Sequence, residues 1–201
     1  MMHSKSQDPR PSARPRVQRR RAEARQRIMA CAGRCFAEAG PDAVRLDEIA
    51  EAADVARGTL YSHFRTKDAL LHAIIEPVLK TAVRKTAALG RLDARESIDR
   101  LLELYLELWH TFPDALRIAD KAQDIPLGDL GALHTSFLKG VFRVFERAER
   151  AGILRSGDPM LAGHVMRRVA VPLLELYAPH ADGDRLFMEG LRGLLLRDEP
   201  A

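Results

Sequence analysis

The chain of 201 residues is poor in the features that mark membrane proteins and disulfide-linked proteins. It has two cysteines and one tryptophan, and aromatic residues make up 5% of it. No apolar run reaches the roughly 18 residues of a membrane span. The basic start of the chain is not followed by the apolar segment of a secretion signal. We therefore expect a cytoplasmic protein with no membrane partner.

Motifs of catalysis and metal binding are also missing. The sequence has no nucleotide-binding glycine loop and no nucleophile elbow, which argues against an enzyme. No His or Cys pair has metal-ligand spacing with acidic support, so we expect no metal and no cofactor. Cys31 and Cys35 are one helical turn apart, and we interpret them as small core residues in a reducing compartment. A redox switch is the alternative.

Positive charge is concentrated at the N terminus. The formal net charge is +4, but residues 1–27 carry nine Lys and Arg against Asp8 and Glu23. Because Pro9, Pro11 and Pro15 interrupt this segment, we expect residues 1–21 to form a disordered arm when free. Such an arm can follow a phosphate backbone or place an arginine in the minor groove. A solubilising tail without fixed contacts is the alternative.

The rest of the chain has helical periodicity, with no strand pattern and no internal repeat. Residues 45–64, RLDEIAEAADVARGTLYSHF, predict two short helices joined by a tight turn. The second helix buries Leu60 and Phe64, four residues apart. A helix with small and hydroxylated residues near its N-terminal end suits a major groove. The side chains left free are those of Arg57, Thr59, Tyr61 and His63.

This segment resembles the helix-turn-helix of the TetR family of transcriptional regulators. The resemblance covers roughly residues 25 to 80 and is carried by Phe36 to Gly40, Ile49-Ala50, Val55, Gly58-Thr59-Leu60-Tyr61, Phe64, Lys67-Asp68 and Leu70-Leu71. It implies an all-α protein with an N-terminal three-helix DNA-binding domain and a C-terminal helical domain for ligand binding and dimerisation. We place these domains at residues 22–68 and 69–201. The resemblance also implies a homodimer joined through the last two helices of each subunit.

Three positions depart from the family pattern. Arg45 stands where a Ser or Thr cap is common, so a capping bond of about 0.5 to 2 kcal/mol is missing while a cation is gained. Asp54 replaces the glycine of the turn, and Asp tolerates a left-handed backbone better than most residues. Ala56 replaces a Ser and removes another cap. We expect lower local stability, with DNA binding retained.

Capping residues and prolines mark the other helices. Helix one is predicted over about residues 22–39, and helix four runs from the Thr66 cap to about Gly90 with a kink or break at residues 73–77, before Pro77. Asp93 and Glu96 predict a capping box. The remaining predicted helices begin at Pro113, at Gly128 or Leu130, at Asp158-Pro159, where Pro172 can bend the helix, and at Asp184.

Two sets of DNA contacts are predicted on double-stranded DNA. Arg57, Thr59 and His63 can reach base edges, since Arg suits guanine and the Thr methyl group suits thymine. Arg45, Tyr61 and Lys67 are placed for phosphates. The alternatives are that Tyr61 packs against helix one and that Lys67 is a solvated surface residue. Lys67 is further favoured by its place in the first turn of helix four, where free amides attract anions.

The C-terminal half is predicted to hold an effector pocket lined by aromatic and polar side chains. An ordinary core is the alternative. We expect a regulator, most simply a repressor released from a palindromic operator by a small apolar ligand. A helical small-molecule sensor without specific DNA binding, and an activator, remain open. The candidate lining residues are Trp109, His110, Phe112, Arg117, His134, Phe137 and Met166.

Overall fold

The computed structural model describes residues 13–121 and 130–198. These residues form nine α-helices and no strand, apart from one isolated antiparallel bridge between Leu154 and Leu196. The predicted all-α class is therefore confirmed. The helices are α1 (Ala13–Ala39), α2 (Leu46–Ala52), α3 (Arg57–His63), α4 (Lys67–Ala88), α5 (Ala94–Thr111), α6 (Pro113–Lys121), α7 (Leu130–Arg150), α8 (Pro159–Tyr177) and α9 (Gly183–Leu195).

Helix α1 begins nine residues before the predicted start at Ala22. Residues 13–27 are mostly Arg, Ala, Gln and Glu, which have high helix propensity. Pro15 lies in the first turn, where no intrahelical donor is lost. The second half of the predicted disordered arm is therefore helical, while residues 1–12 lie outside the described part of the chain.

The predicted caps at Thr66, Asp93 and Asp158 are confirmed, whereas the return bond from Glu96 that would complete a capping box at Asp93 stays a prediction. Thr66 Oγ1 accepts a hydrogen bond from the Ala69 amide at 3.1 Å, and Asp93 Oδ1 accepts one from the Glu96 amide at 2.9 Å. Asp158 caps α8 by accepting from the amides of residues 160 and 161. Each bond satisfies an amide that has no partner within its helix. Capping could be predicted from sequence because it depends only on residues two or three positions apart.

Both prolines inside helices are accommodated without a break. Helix α4 is continuous through Pro77, so the predicted break at residues 73–77 is wrong. Buried neighbours on either side of it, including Ile74 and Val78, hold the segment against the core. The burial of these side chains outweighs the single backbone hydrogen bond that proline removes. Helix α8 is likewise continuous through Pro172.

The N-terminal helices share one small core. Ile28 and Phe36 of α1, Ile49 of α2, Leu60 of α3 and Leu70 of α4 are all fully buried. Cys31 lies in the same core, and its Sγ donates to the Ala52 carbonyl oxygen at 3.3 Å. This core fixes α2 and α3 against α1.

Helix α4 continues from this core into the C-terminal half, where it packs mainly on α7. The two helices approach closely at Gly140, where an added Cβ would lie 2.9 Å from Thr86 Oγ1. Arg147 of α7 donates to the carbonyl oxygens of Leu89 and Leu92, just beyond the end of α4. Helices α8 and α9 pack on one another, and α8 also packs on α7.

Helix α6 gives a second connection between the two halves, because it packs on both α1 and α4. The Lys121 ammonium group at its C-terminal end donates to the Ala37 carbonyl oxygen of α1 at 2.6 Å. A change in the position of α6 therefore acts directly on the helix that supports the helix-turn-helix.

Candidate nucleic-acid interface and internal cavity

The turn between α2 and α3 has the geometry expected of a helix-turn-helix. Asp54 has φ of 50°, which is the left-handed conformation that its position requires, and the prediction that the turn is retained with Asp in place of glycine is confirmed. The Val55 amide donates to the Ala50 carbonyl oxygen at 3.0 Å and closes the turn. Ala56 has extended backbone and provides no side-chain cap for α3. Packing of α3, rather than capping, must hold it in place.

Two buried side chains anchor the recognition helix α3. Leu60 is fully buried and Phe64, directly after the helix, is 4% exposed. The opposite face is open, since the Tyr61 side chain is 45% exposed. Tyr61 is therefore available to an external partner. Thr59 and His63 are half-buried beside it.

Arg57 lies at the start of α3 and is held by an acidic residue of α2. Its guanidinium group is 3.2 Å from the Asp47 carboxylate, with the Arg57 side chain 72% exposed. Exposed ion pairs of this kind contribute little to stability. The ion pair holds the Arg57 guanidinium group on the exposed side of the motif. There the guanidinium group can leave the Asp47 carboxylate and donate to an acceptor on a partner.

Lys67 and Arg45 are brought together although they are 22 positions apart. Lys67 Nζ donates to the carbonyl oxygen of Val44 at 3.4 Å, so its side chain extends from the start of α4 to the start of α2. The Arg45 side chain is exposed, and its backbone amide donates to Glu48 Oε2 at 3.0 Å. A guanidinium group cannot accept a bond, so Arg45 caps α2 only through this amide. Two cations thus flank the entry to α2.

Sequence reasoning missed the contribution of α1 to this surface. The Arg25 guanidinium group lies over the Phe64 ring, 5.1 Å from its centre. Burial lowers the pKa of His63, and the positive charges of Arg21 and Arg25 lower it further. The imidazole is therefore neutral at pH 7 in the free chain. The signal that could have revealed this is the spacing of Arg21 and Arg25, one turn apart on the helix that supports α3.

A cavity of about 1140 Å³ opens between α4, α5, α6, α7 and α8. Its buried lining is largely apolar and includes Ile75, Val78 and Leu79 of α4. Lys139, Arg143 and His164, all exposed, stand at the outer part with Leu138 and Met160. A cavity of this size with a largely apolar lining and a few polar groups is typical of small-molecule sites. Three of the predicted lining residues face it: His134, Phe137 and Met166.

Asp120 and His134 are among the cavity-lining groups whose pKa values are perturbed. Burial raises the pKa of Asp120, and the nearby Glu175 carboxylate raises it further. Burial lowers the pKa of His134, and the positive charge of Arg167 adds to this effect. Arg167 also lines the cavity. The cavity thus contains a carboxyl group, an imidazole and a guanidinium group within electrostatic range of one another, which a polar part of a ligand can contact.

The other four predicted ligand residues lie outside this cavity. Trp109 is 6% exposed, and the Arg117 guanidinium group stacks on it at 4.4 Å from the ring centre. Arg117 also bonds to Glu175 at 2.9 Å, so its donors are used within the protein. Phe112 is the half-buried residue that ends α5. Helix periodicity could not reveal these positions, because it does not determine which neighbour a given face meets.

His110 is the fourth of these residues. Its Nε2 lies 3.0 Å from the Asp184 carboxylate, in a smaller depression of about 510 Å³ between the ends of α5, α8 and α9. Trp109 also borders this depression. Its lining is as polar as it is apolar, which does not suit an apolar ligand.

Two further features are absent from residues 13–121 and 130–198. No helix there is long and apolar enough to cross a membrane. No group of three or more His, Cys, Asp or Glu side chains there is arranged to hold a metal ion.

Known proteins are similar to both the N-terminal and the C-terminal half of this chain. The family model of the bacterial regulatory proteins, tetR family, matches residues 28–74, which run from the C-terminal part of α1 to the first part of α4. The transcriptional repressor KstR2 of Rhodococcus jostii (strain RHA1) is 28% identical over 164 residues, which cover 77% of this chain and 80% of KstR2.

Solved structures extend the likeness over the whole fold. The crystal structure of the probable transcriptional regulatory protein RHA5900 has a TM-score of 0.73 at 25% identity, covering 85% of this chain and 96% of that one. AibR, solved in complex with isovaleryl coenzyme A and operator DNA, has a TM-score of 0.71 at 18% identity, covering 86% of this chain and 97% of AibR. The helix-turn-helix, the helical C-terminal half and these matches lead to one conclusion: residues 28–74 match the tetR family of bacterial regulatory proteins, and the chain as a whole is similar to TetR-family transcriptional regulators.

Proposed function

We propose that the chain is a homodimeric repressor that binds a twofold-symmetric operator and is released by an amphipathic, anionic small molecule. One observation carries the proposal. A recognition helix anchored on one side and open on the other belongs to the same core as α4, and α4 also contributes to the buried lining of a large cavity. Binding in the cavity and the position of the recognition helix are thereby coupled.

The DNA-binding part comprises residues 22–68 in this proposal. Arg57, Thr59 and His63 contact base edges, which distinguish one base pair from another. Arg45, Tyr61 and Lys67 contact phosphates, which orient the protein without reading sequence. The exposure of Tyr61 and the position of Lys67 beside Arg45 support this division.

The remaining residues, 69–201, bind the effector and form the dimer. Leu161 and Leu176 of α8 and Leu194 of α9 are large apolar side chains that are each about half exposed. The half-buried Val165 and Val169 lie between them on α8. An apolar face of this extent on two adjacent helices favours a partner, and a second copy gives a twofold pair of recognition helices about 34 Å apart.

The effector has an apolar body and an anionic group. The buried lining of the cavity is largely apolar, whereas Lys139 and Arg143 are exposed cations of its outer part and half-buried Arg167 is a further cation of the lining, with Asp120 as the acidic lining residue. An acyl coenzyme A combines these two properties in one molecule. The same class is bound by AibR, which shares this fold.

The switch follows from differential affinity for two conformations. An effector that fits only one separation of α4, α6 and α7 shifts the equilibrium toward it, by no more than the difference in its affinities. Helix α4 transmits the change to α3, and α6 transmits it to α1 through Lys121 and the Ala37 carbonyl group. The separation of the two recognition helices then no longer matches the half-sites.

DNA binding is tested by fluorescence anisotropy with a duplex from the upstream region of the gene and a scrambled duplex, over a salt series. A Kd of about 10⁻⁸ M or tighter for the upstream duplex alone supports the proposal. Weak binding to every sequence, including those from a random-library selection, contradicts it and favours a sensor without specific DNA binding.

The effector class is tested on the same complex with octanoyl coenzyme A, octanoate and coenzyme A alone. We expect octanoyl coenzyme A to release the DNA at the lowest concentration, since only it supplies both the apolar body and the phosphates. The variant Lys139→Gln/Arg143→Gln should weaken this response, whereas the control Arg150→Gln, also exposed on α7 but outside the cavity, should not. Equal release of DNA by octanoyl coenzyme A in the two variants contradicts the proposed role of Lys139 and Arg143.

A further inference from the structure

The N-terminal part of α1 is a cationic helix that the proposed DNA contacts leave unused. Between residues 16 and 27 it carries six arginines and one glutamate, and all seven side chains are exposed. Glu23 is 3.2 Å from Arg19, so the single acid neutralises one of these cations. The remaining arginines form a concentrated positive surface on a helical backbone.

This surface is continuous with the recognition helix. Arg25 lies over Phe64, the residue directly after α3, and the positive charges of Arg21 and Arg25 lower the pKa of His63. Arg25 lies twelve positions after Ala13, the first residue of α1. At about 1.5 Å per residue, the helix extends about 18 Å from the end of α3.

We propose that residues 16–25 of α1 bind the DNA phosphates next to the base pairs that α3 reads. The inference rests on the proposed function, because it needs the recognition helix on DNA. A duplex presents one negative charge per about 1.7 Å of its axis, so this length of helix meets several phosphates. The helix is already ordered in the free chain, and binding therefore does not have to order a flexible tail.

The inference differs from a disordered arm in a measurable way. A flexible arm strengthens DNA binding through its total charge, whatever the positions of the charges along it. A helix contributes only while its backbone keeps the arginines beside α3. If the helix makes the contact, the salt dependence of DNA binding should change both when cations are removed and when the helix is interrupted.

The first test removes cations and keeps helix propensity. The variant Arg16→Gln/Arg20→Gln/Arg21→Gln is compared with Arg84→Gln/Arg91→Gln/Arg150→Gln, which removes equal charge from exposed positions of the C-terminal half. Each phosphate contact contributes about 0.9 to the slope of log K against log salt concentration. We expect the first variant to lower this slope by about 2 or more on both the upstream and the scrambled duplex, and the second to leave it unchanged.

The second test keeps every cation and interrupts the helix. Ala22 is exposed, and Ala22→Pro removes the bond to the Gln18 carbonyl group while leaving the buried residues from Ala24 onward in place. We expect the salt slope to fall as in the first variant, with cooperative thermal unfolding retained. A slope equal to that of the original chain overturns the helical part of the inference in favour of a flexible arm.

The outcomes separate the inference from the proposed function. If the original chain shows no salt-dependent binding to either duplex, the proposed function fails and the inference fails with it. If the original chain binds and the two triple variants have equal slopes, only the inference fails.

Discussion

Gly140 of α7 allows α7 and α4 to approach one another, and Gly140→Ala should separate them. The added Cβ would lie 2.9 Å from Thr86 Oγ1 and 3.0 Å from Thr86 Cβ, whereas ordinary contacts begin at 3.4 Å. Thr86 cannot move aside easily, because it is 4% exposed and its hydroxyl group donates to the Ala82 carbonyl oxygen at 2.7 Å. The helices must therefore move apart by roughly half an ångström.

Two opposing effects determine the size of the change. Overpacking of this kind costs about 1–3 kcal/mol, while replacing a helical glycine with alanine contributes about 0.5–1 kcal/mol of stability. We expect a net loss of about 0–2.5 kcal/mol in the free energy of unfolding, and a loss of about 1–3 kcal/mol relative to a glycine-to-alanine change without the contact. For a chain of this size each kcal/mol corresponds to about 2–4 °C in Tm.

The assay is thermal and urea unfolding at one fixed protein concentration, since dimerisation would make Tm depend on concentration. Gly131→Ala is the matched control, because Gly131 lies in the same helix and an added Cβ there meets nothing within 4 Å. The double variant Gly140→Ala/Thr86→Ala removes the contact with the oxygen and should recover part of the loss beyond the sum of the single effects. Equal Tm values for Gly140→Ala and Gly131→Ala would refute the packing argument.

Three other predictions concern DNA contacts, pH and capping. Lys67→Ala should weaken binding to all sequences alike, whereas Arg57→Ala should relax preference at one base position by about 1–3 kcal/mol; a binding panel with the reverse pattern contradicts the division. The pKa of His63 is lowered from 6.5 in the free chain, and nearby phosphates should raise it, so affinity should increase from pH 8 to pH 6 and stay flat in His63→Gln. The unfolded chain protonates His63 at a higher pH than the folded chain does. The free energy of unfolding should therefore fall as the pH drops below 6.5. Asp158→Ala should cost about 0.5–2 kcal/mol in urea unfolding, with Asp158→Asn close to the original; equal loss in both would argue against the cap.

The DNA-binding surface shows how far local sequence reasoning extends. Leu60 and Phe64 were predicted to be buried and are, because a short helix with two large apolar residues four positions apart has only one face to bury. Asp54 adopts the left-handed backbone that its place in the turn predicts. What local reasoning missed here is Arg25, whose place over Phe64 depends on how α1 packs against α3.

The effector cavity shows the limit of the same reasoning. Trp109 and Phe137 are both aromatic residues on amphipathic helices, yet Phe137 faces the cavity while Trp109 lies beneath the Arg117 guanidinium group. The sequence pattern is alike in the two cases. The neighbours differ because α7 borders α4 and the cavity, whereas this end of α5 meets α6 and α9.

The sequence by itself determined the helical class, the helix-turn-helix and the capped helix ends, since each depends on residues within about one turn of each other. The tertiary structure alone decided which side chains share the cavity, that Lys67 reaches the start of α2, and that α4 passes unbroken through Pro77. These features arise from packing between helices distant in the chain. Burial of large apolar surfaces there outweighs local preferences such as that of proline.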